Sequence, residues 1–567
     1  MTPTSSEKFP NSLPCELARN QELIWIGQQL NPSLPLYEMC YAFDISGEVD
    51  VACFQSAFRK WIAATAVLRT VSVDEVWTSA VTTGSPKVGC DFEDVSDSGN
   101  PDQAARQFAR QRMQQSFQPT LALYDSILLR LNSHRYRWLF RIHHILTDGL
   151  NTGLLLKSMS DWYASELSGG PPASQPEYCQ FVEGERASVV TPQFREHCKW
   201  WETRTAECSG SRFYSGAVRK GSTQHVRNCT SLTKAENELL NELASAAPFR
   251  QFTPALTHFN IFATALTALM ARVEQRPKIC FGATSHGRAN ATFRETPGLF
   301  MQLMPFQVEV SDDETFGSLS SSVATETRGF LQHAVPGVMQ SEALKAFDVA
   351  LNILDLSVCD FSGMPASVEW LHNGYGDPER RLAISAYQRG NSGEWQLIFD
   401  FNDGVFSDAA RARFIAHFRN VLRAMATDQE ANVSTFGLLT AEENRDLTAP
   451  RTHRPLPDTP NVWNRFERIE ASVPDRIAVE FANERLTYAE LGSAVRQLAR
   501  SIDGAGCGPL VPLLCRRDAN AVVGLLGILA AGRCFLPVDL SQPRQRIDSL
   551  LQDCASDHVV DASSQPV

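Results

Sequence analysis

Apolar positions along this chain recur with two periods, and the alternation between them sketches its elements. "YEMCYAFDI" (37–45) and "YRWLFRI" (136–142) are rich in aromatic and apolar residues, and the second alternates, the mark of strands. "VACFQSAFRKWIAATAVL" (51–68) carries a helical pattern. In "GLLLKSMSDWYASEL" (153–167) Leu155, Met159 and Trp162 fall on one helical face, and "GGPP" (169–172) stops the helix. The style continues with a strong helix in "PALTHFNIFATALTALMARVEQ" (254–275), strands in "KICFGAT" (278–284) and "EWQLIFDFN" (394–402), and an amphipathic helix in "DAARARFIAHFRNVLRAMATD" (408–428). Mixed α/β with two lobes of similar size, about 12–185 and 186–448, is the economical reading.

Pro450, Pro455, Pro457 and Pro460 then crowd into "APRTHRPLPDTPNVW" (449–463). Proline at that density removes backbone donors and forbids helix, so 449–462 reads as an extended linker between 1–448 and a tail, 463–567. In the tail, Thr487 and Glu490 have capping-box spacing ahead of a helix. The run 521–532, "AVVGLLGILAAG", is expected to be a buried helix: at 12 residues it falls short of the roughly 20 a bilayer requires.

Composition narrows the class. At 567 residues the chain exceeds one ordinary domain, and 43% hydrophobic with 20% charged residues is the make-up of a globular protein with sizeable cores. A formal net charge of −12 repels phosphate backbones and argues against nucleic acid as a partner. Fourteen cysteines without a C-x-x-C or a Cys/His cluster read as reduced thiols rather than a disulfide scaffold or zinc site. With no signal segment and no membrane span expected, a cytoplasmic location follows.

The chemistry concentrates in "FRIHHILTDGLNTG" (140–153). His143 and His144 could simply satisfy buried backbone groups. The strand argues for more: successive side chains face opposite ways, so one histidine turns inward while its neighbour can face a cleft. An imidazole titrating near pH 6.5 is suited to taking a proton in the cell. Asp148 could orient a ring or hold the loop through an arginine. Gly149 lets backbone come close to a substrate and opens a helix whose N-terminus favours developing negative charge.

"HHILTDG" resembles the H-H-x-x-x-D-G signature of nonribosomal peptide synthetase condensation domains. Other stretches agree in order: "LARNQELIWIGQQL" with Gln21 and Trp25, "AVLRT" with Arg69, and "FGATSHGR…TPGLFMQLMPFQVEV" with Gly282, Gly287, Arg288, Gly298, Phe300, Leu303 and Pro305. The resemblance covers about 12–445. It implies two chloramphenicol-acetyltransferase-like lobes forming a V around a central tunnel, with His144 doing the chemistry and Asp148 paired structurally with Arg288 from the other lobe. Arg69 is implied to support the site. The implied reaction joins a donor acyl thioester to the amine of an aminoacyl group, both on phosphopantetheine arms of carrier proteins. The donor carrier comes from another polypeptide and the acceptor carrier lies downstream in the parent synthetase; no metal or bound cofactor is implied. His144 either accepts the amine's proton or orients the amine; the sequence leaves both open. "MQL" replaces the usual V-N-T, and Leu150 a frequent aromatic. "RWLFRIHHILTDG" and "FDVALNILDLSV" are similar to the serine-incorporating, enterobactin-type siderophore branch.

Three rivals stay in view. Epimerization domains share the signature and touch "SHGR" (285–288), but the glutamate that precedes the signature in that family is missing. A docking module that binds carriers without catalysis has no use for His144. A stand-alone acyltransferase using soluble acyl-CoA shares the H-x-x-x-D core, but the tail argues against it: "PDRIAVEF", "LTYAEL" and "LAAGRCFLPVDL" resemble the first motifs of adenylation domains, so 463–567 is expected to be the N-terminal fragment of one.

Overall fold

The computed structural model describes residues 12–14, 17–73, 76–80, 89–149, 151–170, 172, 175–206, 208, 210–211, 214, 222–339, 344–390, 393–449, 461–482, 484–516, 518–542, 544–554 and 556–562. They divide into two compact units, Met1–Leu447 and Thr448–Val567. The proline-rich run at 450–460 lies outside the described residues.

The first unit holds two large mixed sheets. One has five strands in the order Ala366–Leu371, Glu38–Ser46, Arg135–His143, Tyr124–Asn132 and Cys90–Asp94. Along Arg135–His143 the even positions Tyr136, Trp138, Phe140 and Ile142 enter one apolar cluster with Phe54, Phe58 and Trp61 of the helix Val51–Ala64. Trp138 stacks between Phe43 and Phe140, with centroids 4.9 and 5.2 Å away. Odd positions face the helix Pro101–Met113, where Leu139 joins a second cluster. Arg137 lies there too, with both Asp44 oxygens at 2.7 and 2.8 Å. A strand covered on both faces must pair its buried charges, and that arginine meets its carboxylate on the neighbouring strand.

The second sheet has six strands: Gln302–Glu309, Lys278–Ser285, Val349–Ile353, Leu382–Arg389, Glu394–Asn402 and His225–Ser231. Pro254–Glu274 packs on it; Thr253 caps its first turn and Pro254 sits where a missing N–H costs nothing. This helix is long and apolar enough by composition to cross a membrane, but 67% of its apolar window is buried inside the unit.

Two expectations need correcting. The helix from Val51 stops at Ala64, because Thr65 is extended and Ala66–Arg69 forms a separate 3₁₀ turn. The β-branched Thr65 and Val67 weaken helical continuation there. The lobes are also not simply successive in sequence. Ala366–Leu371, well into the second half, pairs antiparallel with Glu38–Ser46 and forms the edge of the first sheet.

The second unit pairs a hairpin, Ile477–Phe481 with Glu484–Thr487, with a parallel sheet of Cys534–Asp539, Leu510–Cys515 and Val560–Asp561. Thr487 and Glu490 form the expected capping box at Tyr488–Gly504. The apolar run at 521–532 is helical over Ala519–Ala530, but only Ala519, Gly524, Gly527 and Ile528 are buried. That corrects the expectation of a buried helix.

Candidate active site

The strand Arg135–His143 delivers the histidine pair and ends by turning into the 3₁₀ segment His144–Leu146. His143 stays on the strand and is 3% exposed. Its Nδ1 accepts the Ile145 amide at 3.2 Å, so the proton sits on Nε2, which faces Gln28 Oε1 at 3.4 Å. Burial, followed by the His144 charge, pushes the imidazole down to about 3, so it is neutral in the fold.

His144 is half-buried. Its Nδ1 lies 2.8 Å from the Thr147 carbonyl, an acceptor only, so Nδ1 carries the proton. The lone pair of Nε2 is then left with no protein partner among the described residues. This is the tautomer a general base requires. The turn is held from outside by two hydrogen bonds: the His144 amide donates to Tyr37 O at 2.7 Å, and Gln21 Nε2 donates to Ile145 O at 2.7 Å.

Among its described hydrogen bonds, Asp148 makes none to either imidazole. It is 1% exposed and accepts from the Phe300 and Met301 amides at 2.9 and 3.3 Å, and from Arg288 Nη2 at 3.3 Å to each oxygen. The Arg288 guanidinium lies 4.2 Å from the Phe300 ring centroid and also donates to Asn151 Oδ1 at 2.7 Å and to the carbonyls of Phe293, Thr296 and Gly298. Gly287 and Gly298 allow this approach. Gly287 has φ +64, and a Cβ on it would meet Phe300 O at 2.4 Å; Gly298 has φ +152, and a Cβ there would strike the Tyr178 ring at 2.1 Å.

Gly149 has a neighbour from the second half of the chain: a Cβ on it would lie 2.9 Å from Leu354 Cδ2. The following helix begins at Asn151, and Leu150 lies outside the described residues. Arg69 ends the 3₁₀ turn Ala66–Arg69; burial lowers its pKa against the field of Glu177. None of the described contacts of His144, Asp148 or Arg288 involves Arg69. Asn151 and Tyr37 were not anticipated. A buried asparagine three residues after Asp148 was a readable signal, whereas nothing local marks Tyr37, whose contribution is a main-chain carbonyl.

The site thus sets a base-ready histidine after a buried one, with an aspartate locked by an arginine 140 residues away. The Condensation domain profile matches residues 14–448, and the chain belongs to that family, the amide-bond-forming domains of nonribosomal peptide synthetases. Residues 466–566 match the AMP-binding enzyme family. Among curated proteins, the dimodular nonribosomal peptide synthase of Bacillus subtilis (strain 168) is 23% identical over 95% of this chain, which spans 23% of that protein's length. Among solved structures, the starter condensation domain of rhizomide synthetase RzmA, as a variant in complex with C8-CoA, aligns with TM-score 0.66 and 22% identity over 75% of this chain and 98% of that one. The first condensation domain of the CDA synthetase aligns with TM-score 0.64 and 20% identity over 76% of this chain and 100% of that one.

Proposed function

We propose that residues 14–448 join an acyl group, delivered as a thioester on the phosphopantetheine arm of a donor carrier from another polypeptide, to the amine of an aminoacyl group on a downstream carrier domain. The setting is a cytoplasmic assembly line. The observation that carries this reading is the state of His144: half-exposed, fixed as the Nδ1–H tautomer by Thr147 O, with Nε2 open.

The acceptor nitrogen attacks the thioester carbonyl, the C–N bond forms, and the C–S bond of the tetrahedral intermediate breaks. His144 Nε2 takes a proton from the nitrogen, and the departing thiolate receives one. Thioesters are already activated, so holding two tethered reactants in line supplies much of the acceleration. Backbone donors at Gly149 are assigned to the oxyanion. His143, neutral and buried, and the Asp148–Arg288 pair hold the loop rather than exchange protons with substrate. The resemblance to the enterobactin-type branch makes serine the first acceptor to try.

Single-turnover assays with both carriers loaded test the reading. His144→Ala is expected to cut product formation by about 10²-fold or more, the usual scale of general-base loss. An unimpaired variant overturns the assignment. Supplying the donor as acyl-CoA instead separates carrier-dependent condensation from a stand-alone acyltransferase.

A further inference from the structure

The two outside bonds on the histidine turn come from short segments, Arg19–Gln21 and Pro35–Tyr37, and each segment is tied in turn to the second half of the chain. Asn20, 8% exposed, donates from Nδ2 to the carbonyls of Leu299 and Met301 at 3.2 and 3.0 Å, and its Oδ1 accepts the Gln21 amide at 3.0 Å. Gln21 is the residue that holds Ile145 O. Leu299 and Met301 flank Phe300, whose amide binds Asp148.

The other tie runs through Asn373, 9% exposed, which donates from Nδ2 to Pro35 O at 2.5 Å, two residues before the Tyr37 carbonyl that takes the His144 amide. Tyr37 Oη adds a bond of 3.4 Å to Asp377. The loop carrying Asn373 is joined to the second sheet's edge: Gly374 O accepts the His225 amide at 2.8 Å, and Gly376 N donates to Thr223 O at 3.0 Å.

We infer that Asn20 and Asn373 are positioning residues that transmit the placement of the second sheet to the His144 imidazole. Neither touches His144. Both spend their side-chain donors on carbonyls of the opposite half of the chain, at sequence separations of 279, 281 and 338 residues. Asp148 supplies a third anchor on the other side of the turn through Arg288, Phe300 and Met301. Three anchors leave the short 3₁₀ turn little freedom to tilt, and a displacement of about 1 Å at a reacting group costs up to about 10²-fold in rate. A lone buried asparagine satisfying carbonyls would be a stability device. Two of them place the base: Asn20 adjoins Gln21, which bonds the turn, and Asn373 holds Pro35, two residues before the Tyr37 carbonyl that bonds it.

The inference rests on the condensation reading, and its test separates the two. Asn20→Ala and Asn373→Ala are each expected to lower kcat about 10-fold with KM for the loaded acceptor carrier changed less than about 2-fold. In the His144→Ala background the same substitutions should leave the residual rate unchanged; an equal loss in both backgrounds means a general structural role and overturns the inference. Independently of turnover, ¹³Cδ2-histidine NMR reports His144, assigned as the resonance lost in His144→Ala. Its shift should move toward the tautomer-averaged value in the Asn20→Ala/Asn373→Ala double variant, and an unmoved resonance overturns the inference. Asn20→Asp and Asn373→Asp, which keep size and the Oδ1 acceptor but remove the donor, serve if the alanine variants fail to fold. Absence of product from the unaltered protein with loaded carriers overturns the catalytic reading instead, while the NMR outcome still decides whether the turn is held.

Discussion

Two helices in this chain are predominantly apolar, and they end in different surroundings. In Pro254–Glu274 the stretch from Asn260 to Met270 is buried throughout, against the second sheet and the helices Phe316–His333 and Asp408–Thr427. Ala519–Ala530 has a higher mean hydropathy for its length, yet only four of its residues are buried, over two small clusters. Ile477 and Phe481 of the neighbouring hairpin are also close to half exposed, at 48 and 46%. Apolarity sets how much a segment gains from burial, but the gain is realised only where other layers supply the covering surface.

The polar groups follow the same division. The first unit buries Asp148 and Arg288 together, and the cost is offset by the amides and guanidinium that bind the carboxylate and by the acceptors around Arg288 Nη1 and Nη2, with Arg288 Nε alone of that guanidinium lacking a partner among the described residues. In the second unit the ion pairs Arg485–Glu480 and Arg496–Glu470 lie at the surface, where such pairs contribute little.

The comparison can be broken most forcefully at Asp148. Asp148→Ala leaves Arg288 buried without its carboxylate and should cost the first unit about 3–5 kcal/mol, read by denaturant unfolding. Unchanged stability would mean that the remaining carbonyls satisfy Arg288 unaided. Truncations inside the two helices sharpen the contrast. Leu266→Ala, at a fully buried site, should cost about 2–5 kcal/mol, and Leu526→Ala, at a partly buried one, about 1 kcal/mol. Equal costs would show the second helix to be as well covered as the first. Backbone hydrogen exchange should likewise be faster in Ala519–Ala530 than in Pro254–Glu274.

A smaller effect tests His143. Its folded pKa of about 3 lies below the unfolded value of 6.5, so below pH 6.5 the unfolded chain gains a proton that the folded one refuses. Stability from this group is therefore full above pH 6.5 and lost as pH falls toward 3. Between pH 7 and 5 the loss should be about 2 kcal/mol, and His143→Gln should flatten that dependence. A parallel pH profile in the variant would assign the acid sensitivity elsewhere. The smallest expected signal is none: pyrophosphate exchange with any of the twenty amino acids should stay at background. Residues 463–567 contain no lysine to face a developing phosphate charge and no Gly/Ser/Thr-rich loop ending in one.

Much of this protein was legible in its residues alone. Aromatic and apolar content located the strand Glu38–Ser46, alternation the strand Arg135–His143 and a helical pattern the helix Pro254–Glu274, because these are local properties of the chain. The capping box at Thr487 and the spacing from His143 to Gly149 were readable for the same reason. Three-dimensional structure decided what depends on residues far apart in sequence. It made Ala366–Leu371 an edge of the first sheet, filled the space beside Gly149 with Leu354, and left Ala519–Ala530 half covered. It also brought Asn20 and Asn373 to the carbonyls of Leu299, Met301 and Pro35. A side chain's own pattern states whether it seeks burial or a hydrogen bond; which surface or carbonyl answers it, hundreds of residues away, is fixed only when the sheets are assembled.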